Sequence, residues 1–469
     1  MEMVFSTPVF LFGFLTWILL IYYLVPVRFR NGVLLLGSLL FYFWGERLYT
    51  IIMLLSTGID YVHGRLVSCF REKKQMKKAR AAVASSMIFN LGLLFFFKYW
   101  DFLAASLQSA GIPFLPVLGI HLPIGISFFT FQTMSYTIDV YRGVAEAQRS
   151  IVNFGTFVTL FPQLIAGPII KYKEIGEQIN SRKPNIDQFS AGVSVFMIGM
   201  AKKLLIANNV GQLWEIFRDM PVSDLSFAGA WLGVLAYTFQ IYFDFSGYSD
   251  MATGLGSMFG FSFPMNFNYP YMAGSITEFW RRWHISLSGW FREYLYIPLG
   301  GNRCSKPRWL FNLLVVWAAT GLWHGASWNF LLWGLYFWVL LVTEKLFLGK
   351  YLSRLPAFFQ HLYTLVLVMI GWAIFAIEDF GKLAQYLIVL SGSSGAPFVD
   401  STFQYYLSDY GLVLLAAAAA SVPVGKNLFM RFPQRCRNLV SPVLAALALL
   451  ICTAYLVAGT YNPFLYFRF

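Results

Sequence analysis

The sequence has few charged side chains and few cysteines for its length. Only 12% of its 469 residues are charged and 58% are hydrophobic, whereas soluble domains carry about 25% charged residues. The four cysteines show no C-x-x-C spacing, so neither a disulfide framework nor a zinc site is indicated. The patterns G-x-x-x-x-G-K-[ST], G-x-G-x-x-G and G-x-S-x-G are absent. Nucleotide hydrolysis, Rossmann cofactors and a serine-hydrolase elbow therefore lack support.

Long apolar segments make up most of the chain. A membrane-spanning helix needs about 17 to 25 predominantly apolar residues. Segments of this kind lie at 8–26, 32–46, 49–68, 81–97, 120–140, 150–168, 189–206, 227–243, 309–324, 326–343, 358–377, 406–424 and 438–458. We predict an all-α polytopic integral membrane protein with about ten to thirteen helices in or partly in the membrane. A single domain over 1–469 is expected, with core motifs at 120–345 and C-terminal helices at 358–458.

The basic residues indicate topology and a lipid partner. The formal net charge is +13, but the basic side chains cluster in short loops between the apolar segments. Anionic lipid is therefore a better partner than nucleic acid. Arg28 and Arg30 follow the first span and REKKQMKKAR (71–80) follows the third. The positive-inside rule places both loops in the cytosol and the N-terminus outside.

His324 is an ionisable residue in a long apolar and aromatic run. Such a side chain inside a membrane is costly and usually faces a cavity, a partner or a substrate path. Basic clusters flank residues 309–344, so these residues are predicted to form a helical hairpin with HGASWN at its tip. His324 lies 16 residues after Arg308, about 24 Å along a helix. Gly321 and Gly325 permit close backbone approach or a helix break beside it.

The segment 259–308 is too polar to span a bilayer but is rich in aromatic residues. Tryptophans and tyrosines alternate with Arg281, Arg282 and Arg292, which is typical of short helices in the interface or re-entering the protein. The arginines suit a phosphate-bearing cofactor arriving from the cytosol. His284, in FWRRWHISLS, would lie on the path from there towards His324.

A structural role is the alternative for both histidines. His324 could be a core histidine whose hydrogen bonds are satisfied by Thr320, Ser327 or Asn329. His284 could belong to an aromatic belt of the kind found at membrane surfaces whatever the function. The residues alone leave both interpretations open.

Two further local patterns carry structural information. Ser275 with Glu278 three residues later predicts the start of a helix. The segment 241–260 contains Asp244 and Asp250 among closely spaced glycines. Small residues at such intervals favour close helix packing, and a buried hydrogen-bond network or a proton path is the alternative for the carboxylates.

Four blocks of the sequence, in chain order, resemble motifs of the membrane-bound O-acyltransferase family. They are FPQLIAGPIIKYKEI, YFDFSGYSDMATGLG, FNYPYMAGSITEFWRRWHISLSGWFREYLYIPLGGNR and TGLWHGASWNFLLWG. The resemblance covers most of the chain up to about residue 345 and is greatest to a bacterial branch typified by alginate O-acetylation. It implies a ring of transmembrane helices around a central tunnel, with re-entrant or interfacial helices, in the bacterial cytoplasmic membrane.

The resemblance also implies a reaction and a set of site residues. His324 is the implied catalytic residue and His284 the second active-site residue. Acetyl-CoA is the implied donor, and no metal is expected. The candidate donor-binding residues are Trp280, Arg281, Arg282, Trp283 and Arg292. The candidate substrate-contacting or supporting residues are Asp244, Ser288, Trp323, Ser327 and Asn329. Expected partners are an extracellular SGNH-type acetyltransferase protein, a polysaccharide acceptor and membrane lipid.

The predicted function is transfer of an acetyl group from cytosolic acetyl-CoA to an extracellular acceptor, for O-acetylation of a cell-surface or exported polysaccharide. Two alternatives remain open. One is D-alanyl transfer from a carrier-protein thioester for teichoic acid modification. The other is a transporter that uses Asp139, Asp244 and Asp250 as ion-coupling carboxylates, against which the sequence shows no internal repeat.

Overall fold

The computed structural model describes residues 4–459, 461–463 and 465. Within these residues the secondary structure is helical and includes no β-strand, which confirms the predicted all-α class. The α-helices are α1 (Thr16–Leu24), α2 (Arg30–Glu46), α3 (Tyr49–Glu72), α4 (Met76–Leu94), α5 (Trp100–Ser109), α6 (Ile126–Arg142), α7 (Ile151–Thr159), α8 (Phe161–Leu164), α9 (Tyr172–Ser181), α10 (Ile186–Ala201), α11 (Asn208–Asp219), α12 (Phe227–Met258), α13 (Ile276–Arg282), α14 (Ile285–Phe291), α15 (Lys306–His324), α16 (Trp328–Thr343), α17 (Gly349–Leu352), α18 (Ala357–Ala376), α19 (Phe380–Leu390), α20 (Ser401–Ala420), α21 (Val424–Arg431) and α22 (Gln434–Ala458).

Several helical segments have the length and hydropathy needed to cross a membrane. Among the described residues they are Met76–Ser109, Ile186–Asp219, Trp328–Leu352, Ala357–Ala376 and Gln434–Ala458. The pair α20 and α21 qualifies as one further, bent span. All of them overlap predicted spans, which supports the membrane-protein class. The predicted total of ten to thirteen also includes shorter or more polar helices and stays a prediction.

The predicted span 150–168 is bent, as its two prolines and Gly167 indicate. α7 ends at Thr159, and α8 that follows has only 4 residues. Pro162 lies in α8, and Pro168 follows shortly after it. A proline has no backbone N–H and crowds the preceding turn, so the chain bends here instead of continuing as a helix.

α12 is longer than predicted, because it continues past residue 243 to Met258. Its second half contains three of the four glycines of the segment 241–260, and Gly260 follows its end. A Cβ atom at Gly254 would collide with the carbonyl oxygen of Gly192. The two backbones therefore approach closely at this point, which confirms the close helix packing predicted from the glycine spacing.

One of two compact units comprises Met1–Phe196 and Tyr248–Pro264. In this unit α3 packs against α4 and α6, and α2 packs against α7. The fully buried Asp60 accepts hydrogen bonds from Ser86 Oγ at 2.6 Å and Asn90 Nδ2 at 2.8 Å. These bonds offset the cost of burying a carboxylate among apolar helices.

The other unit comprises Met197–Gly247 and Met265–Phe469, and it contains both candidate active-site histidines. α16 packs against α15 and α18, and α13 packs against α16 and α18. Aromatic side chains from these helices fill its core. α13 begins at the predicted N-cap, where Ser275 Oγ accepts from the backbone N–H of Glu278 at 3.0 Å. The Glu278 carboxylate in turn accepts from the N–H of Gly274 at 2.9 Å.

α15 and α16 form the hairpin predicted for residues 309–344. α15 ends at His324 because Gly325 is extended, with φ −164°. A Cβ atom at Gly321 would collide with the carbonyl oxygen of Phe330. The missing side chain thus lets the two helices pack backbone to backbone, and this packing fixes His324 at the C-terminal end of α15.

The glycine contact in the hairpin yields a stability prediction. Gly321→Ala is expected to lower the free energy of unfolding by about 1–3 kcal/mol, because the methyl group overpacks the helix contact. Gly411→Ala in α20 is the matched control, since a Cβ there meets no atom within 4 Å. That control should be neutral or slightly stabilising. The measurement is thermal unfolding of both variants in detergent, and equal melting temperatures would contradict the packing argument.

Candidate active site

His324 lies in a closely packed aromatic environment. Its side chain is buried, and its ring centroid is 5.1 Å from that of Trp323, 5.2 Å from Trp333 and 5.4 Å from Phe375. α15 supplies Trp323, α16 supplies Trp333 and α18 supplies Phe375. Three helices therefore fix the orientation of the imidazole.

His284 lies close to His324, although 40 positions separate the two in the sequence. Its ring centroid is 5.9 Å from that of Trp323 and 4.6 Å from that of Phe245. The indole of Trp323 thus contacts both imidazoles. The structure brings together the two histidines that the sequence singled out.

Asn266 fixes the orientation of the His284 ring. Its Oδ1 atom accepts hydrogen bonds from the backbone N–H of Ser286 at 3.2 Å and from Ser286 Oγ at 2.9 Å, and it lies 3.1 Å from His284 Nδ1. An oxygen that accepts in this way assigns the proton of neutral His284 to Nδ1, which leaves Nε2 as the acceptor nitrogen. Burial, and in second place His324, lowers the pKa of His284 well below its ordinary value, so the neutral form prevails.

A small cavity adjoins His324. Its volume is about 20 Å³, enough for about one water molecule. Aromatic and aliphatic side chains form most of its wall, and Asp244 and His324 contribute the polar groups. The lining residues are Ile241, Asp244, Phe245, Trp283, His324, Trp372, Phe375 and Leu465.

Asp244 is part of a buried ion pair in the cavity wall. Its Oδ1 atom is 2.5 Å from Lys203 Nζ, and its Oδ2 atom accepts from the backbone N–H of Leu465 at 3.0 Å. Lys203 Nζ also donates to the carbonyl oxygen of Pro463. The pair therefore holds a segment near the end of the described chain against the cavity.

The candidate donor-binding arginines differ in their surroundings. Arg281 and Arg292 are exposed. Arg282 instead forms an ion pair with Glu278 at 2.7 Å and donates to the carbonyl oxygen of Asn268 at 3.2 Å. Two of the three guanidinium groups are thus open to a soluble ligand, and the third is already engaged.

The two candidate donor-binding tryptophans also differ. Trp283 lines the cavity and packs against Trp372 with a centroid distance of 4.8 Å. Trp280 packs against Trp317 and Phe337, both at 4.9 Å, and does not line the cavity. Trp283 is the better placed of the two to contact a group near His324.

The remaining supporting residues lie around the hairpin. Asn329 is fully buried and its Nδ2 donates to the carbonyl oxygen of Phe375 at 2.9 Å, which joins α16 to the end of α18. Thr320 donates to the Val316 carbonyl at 2.7 Å. Ser327 occupies the N-cap of α16. Ser288 is exposed and donates to the Trp280 carbonyl at 3.4 Å.

Sequence reasoning missed several residues of this site. One is Lys203, which pairs with Asp244 in the cavity wall, and another is Asn266, which contacts His284. The others are Trp372 and Phe375, which line the cavity. Only Lys203 left a signal, because it is a lysine within the apolar run 189–206. Among the residues that the structure describes, no group of three or more His, Cys, Asp or Glu side chains is arranged to hold a metal ion.

The family model and the similar proteins both point to one protein family. The model of the membrane-bound O-acyltransferase family matches residues 129–377. The probable alginate O-acetylase AlgI of Azotobacter vinelandii is 43% identical over 381 residues, which are 80% of this chain and 76% of that protein. The peptidoglycan O-acetyltransferase of Helicobacter pylori is 34% identical over 429 residues, covering 84% and 80% of the two chains. The teichoic acid D-alanyltransferase of Bacillus subtilis is 26% identical over 293 residues, covering 60% and 72%.

The matched region contains both histidines, Trp323 and the α15–α16 hairpin. The relatives in Azotobacter and Helicobacter are each covered over more than two thirds of their length. The resemblance seen in the sequence blocks is thereby confirmed. This chain belongs to the membrane-bound O-acyltransferase family.

Proposed function

We propose that this protein transfers an acetyl group from cytosolic acetyl-CoA across the membrane to a hydroxyl group of an extracellular acceptor. The observation that carries the proposal is the pair His284 and His324, both buried and both in contact with the ring of Trp323. The names of the more similar relatives, an alginate O-acetylase and a peptidoglycan O-acetyltransferase, favour acetyl as the transferred group and a polysaccharide as the final acceptor.

His324 acts as the general base in this proposal. Its neutral imidazole accepts the proton of the acceptor hydroxyl while the oxygen forms a bond to the thioester carbonyl carbon. The carbon–sulfur bond then breaks, and the CoA thiolate leaves with the proton from the imidazolium. Proton transfer of this kind contributes about 10²- to 10⁴-fold to the rate, and positioning of the two substrates contributes further.

The donor is proposed to approach from the cytosol. Its phosphate groups would pair with Arg281 and Arg292, which are exposed, while the thioester passes Trp283 towards His324. The cavity beside His324 has a volume of about 20 Å³, which is room for about one water molecule. Side chains that line it would therefore shift when an acetyl group reaches the imidazole.

The acceptor is proposed to arrive from the other face of the bacterial cytoplasmic membrane. An SGNH-type acetyltransferase protein outside the membrane would receive the acetyl group and pass it to the polysaccharide. The N-terminus would lie on the same outer side, as the positive-inside rule predicts from Arg28, Arg30 and the basic segment 71–80.

The test is consumption of radiolabelled acetyl-CoA by the purified protein in nanodiscs, with carrier-protein-linked D-alanine offered in parallel. Release of CoA from acetyl-CoA supports the proposal. Consumption of the D-alanyl thioester alone would identify the second candidate function, which the more distant likeness to teichoic acid D-alanyltransferases favours. Consumption of neither, with candidate acceptor proteins present, would refute acyl transfer from both donors.

Asn266 provides a prediction about the second histidine. Asn266→Ala is expected to lower kcat by about 10-fold, because His284 loses the hydrogen bond that orients its ring. Asn266→Asp keeps an acceptor oxygen and should retain more activity. Asn268→Ala is the control, since Asn268 contributes only its backbone to the contact with Arg282. An unchanged kcat in Asn266→Ala would contradict a positioning role for this residue.

A further inference from the structure

Two arginines in the unit Met1–Phe196 with Tyr248–Pro264 lie near the same tyrosine ring. The guanidinium carbon of Arg30 lies 5.1 Å from the centroid of Tyr22, and that of Arg182 lies 5.8 Å from it. Arg30 also lies 5.6 Å from the ring of Tyr23, and Arg182 lies 4.1 Å from that of Phe261. Aromatic rings therefore hold both cations next to Tyr22.

Neither guanidinium group has an acidic partner within the described residues. Arg182 Nε donates to Tyr22 OH at 3.2 Å and to the Phe259 carbonyl at 3.1 Å, and its Nη1 donates to the Ile179 carbonyl at 3.2 Å. Arg182 Nη2 and Arg30 Nε are buried atoms without a hydrogen-bond partner among the residues described. These two arginine N–H groups therefore have no hydrogen-bond acceptor within the described part of the protein.

Arg30 and Arg182 are two half-buried cations without an acidic partner in the described part of the chain, and an anion would stabilise them. Burial lowers the pKa of Arg182; Tyr22 opposes this shift, and the positive charge of Arg30 adds to it. Buried charges in proteins are normally paired with an opposite charge. An anion in contact with both side chains would satisfy the open donors and reduce the repulsion between the two guanidinium groups.

The arrangement suits a phosphate group in particular. The guanidinium fork matches the spacing of phosphate oxygens. Arg30 is also the first residue of α2, a helix of 17 residues, and the N-terminus of such a helix attracts anions. Leu24 and Val27, which precede it, are 74% and 67% exposed, so an apolar surface adjoins the two arginines.

We propose that Arg30 and Arg182 form a binding site for a phosphate group at the membrane face predicted to be cytosolic. An anionic phospholipid headgroup and the phosphates of a soluble acyl donor share this chemistry. The apolar surface at Leu24 and Val27 favours the lipid, whose chains would cover it.

The test uses the full-length protein in detergent and native mass spectrometry with added phosphatidylglycerol or phosphatidylcholine. Wild type is expected to retain phosphatidylglycerol preferentially. Arg30→Gln and Arg182→Gln should each weaken that retention by about 10-fold, the effect of losing one charge-assisted hydrogen bond. Arg28→Gln is the matched control, because Arg28 stacks on Phe29 at 4.8 Å in the same loop and should retain lipid as the wild type does.

Two further arms distinguish the sources of the phosphate and guard against misfolding. If acetyl-CoA or inorganic phosphate displaces phosphatidylglycerol from the wild type but does not bind the variants, the site accepts soluble phosphates. Arg30 contacts the rings of Tyr22 and Tyr23, so Arg30→Gln should fold with only a small decrease in melting temperature. Equal binding of phosphatidylglycerol, acetyl-CoA and phosphate by wild type and a folded Arg30→Gln variant would overturn the proposal.

Discussion

Replacing His324 by alanine is expected to lower the rate of acyl transfer by about 10²- to 10⁴-fold, the usual contribution of a general base. The loss should appear in kcat, because the imidazole accepts its proton during bond formation and not during donor binding. The packing around position 324 stays largely intact, since Trp323, Trp333 and Phe375 also contact one another or neighbouring rings. The measurement is turnover of acetyl-CoA in nanodiscs, together with donor affinity.

The control for this variant is His121→Ala. The His121 side chain is 67% exposed and lies 3.9 Å from Glu46, so its loss should leave acyl transfer unchanged. A His324→Ala protein that folds, binds acetyl-CoA and keeps turnover near that of the wild type would show that this histidine is not the base.

Replacing Lys203 by methionine is expected to lower the free energy of unfolding by about 3–5 kcal/mol, because Asp244 would remain as a buried charge without its cation. The two groups are 2.5 Å apart and almost fully buried. The contact of Lys203 with the Pro463 carbonyl is lost as well. Thermal unfolding in detergent measures the effect.

A double-variant cycle separates the ion pair from general packing. Lys203→Met with Asp244→Leu removes both charges and should recover most of the lost stability. The partly exposed pair of Arg218 and Asp219, 2.7 Å apart with side chains 26% and 64% exposed, provides the control, because Arg218→Gln should cost less than about 1 kcal/mol. If Lys203→Met is no more destabilising than Arg218→Gln, the buried pair contributes little.

The sequence predicted the hairpin and the helix start because their signals are local. The basic residues that flank 309–344 and the glycines beside His324 define a turn with close helix packing. Ser275 caps α13 as its spacing to Glu278 indicated. Signals of this kind depend on neighbours a few positions apart, so one sequence suffices to find them.

The contacts that build the cavity are not local, and the sequence did not reveal them. Asp244 meets the N–H of Leu465 across 221 positions. Asn266 reaches the His284 ring only because the loop before α13 folds back on it. No periodicity links such residues, since tertiary packing alone determines which of them meet.

The sequence around Arg282 contains a local signal for a structural ion pair. It was predicted to bind phosphate together with Arg281 and Arg292, yet it follows Glu278 by four positions and pairs with it at 2.7 Å. Acidic and basic side chains at this spacing meet on one face of a helix. The spacing alone would have assigned Arg282 a structural contact.

The backbone of His284 has a consequence for the balance between stability and activity. Its φ of 45° and ψ of 55° are left-handed, which costs a residue with a side chain about 1–2 kcal/mol. Hydrogen bonds on either side hold the turn, from the N–H of Asn268 to the Arg282 carbonyl and from the N–H of Ile285 to the Asn266 carbonyl. Glycine at position 284 would relieve the strain and remove the imidazole. Selection for thermostability alone would therefore favour glycine, which lacks the imidazole. Stability and activity should thus change in opposite directions at this position.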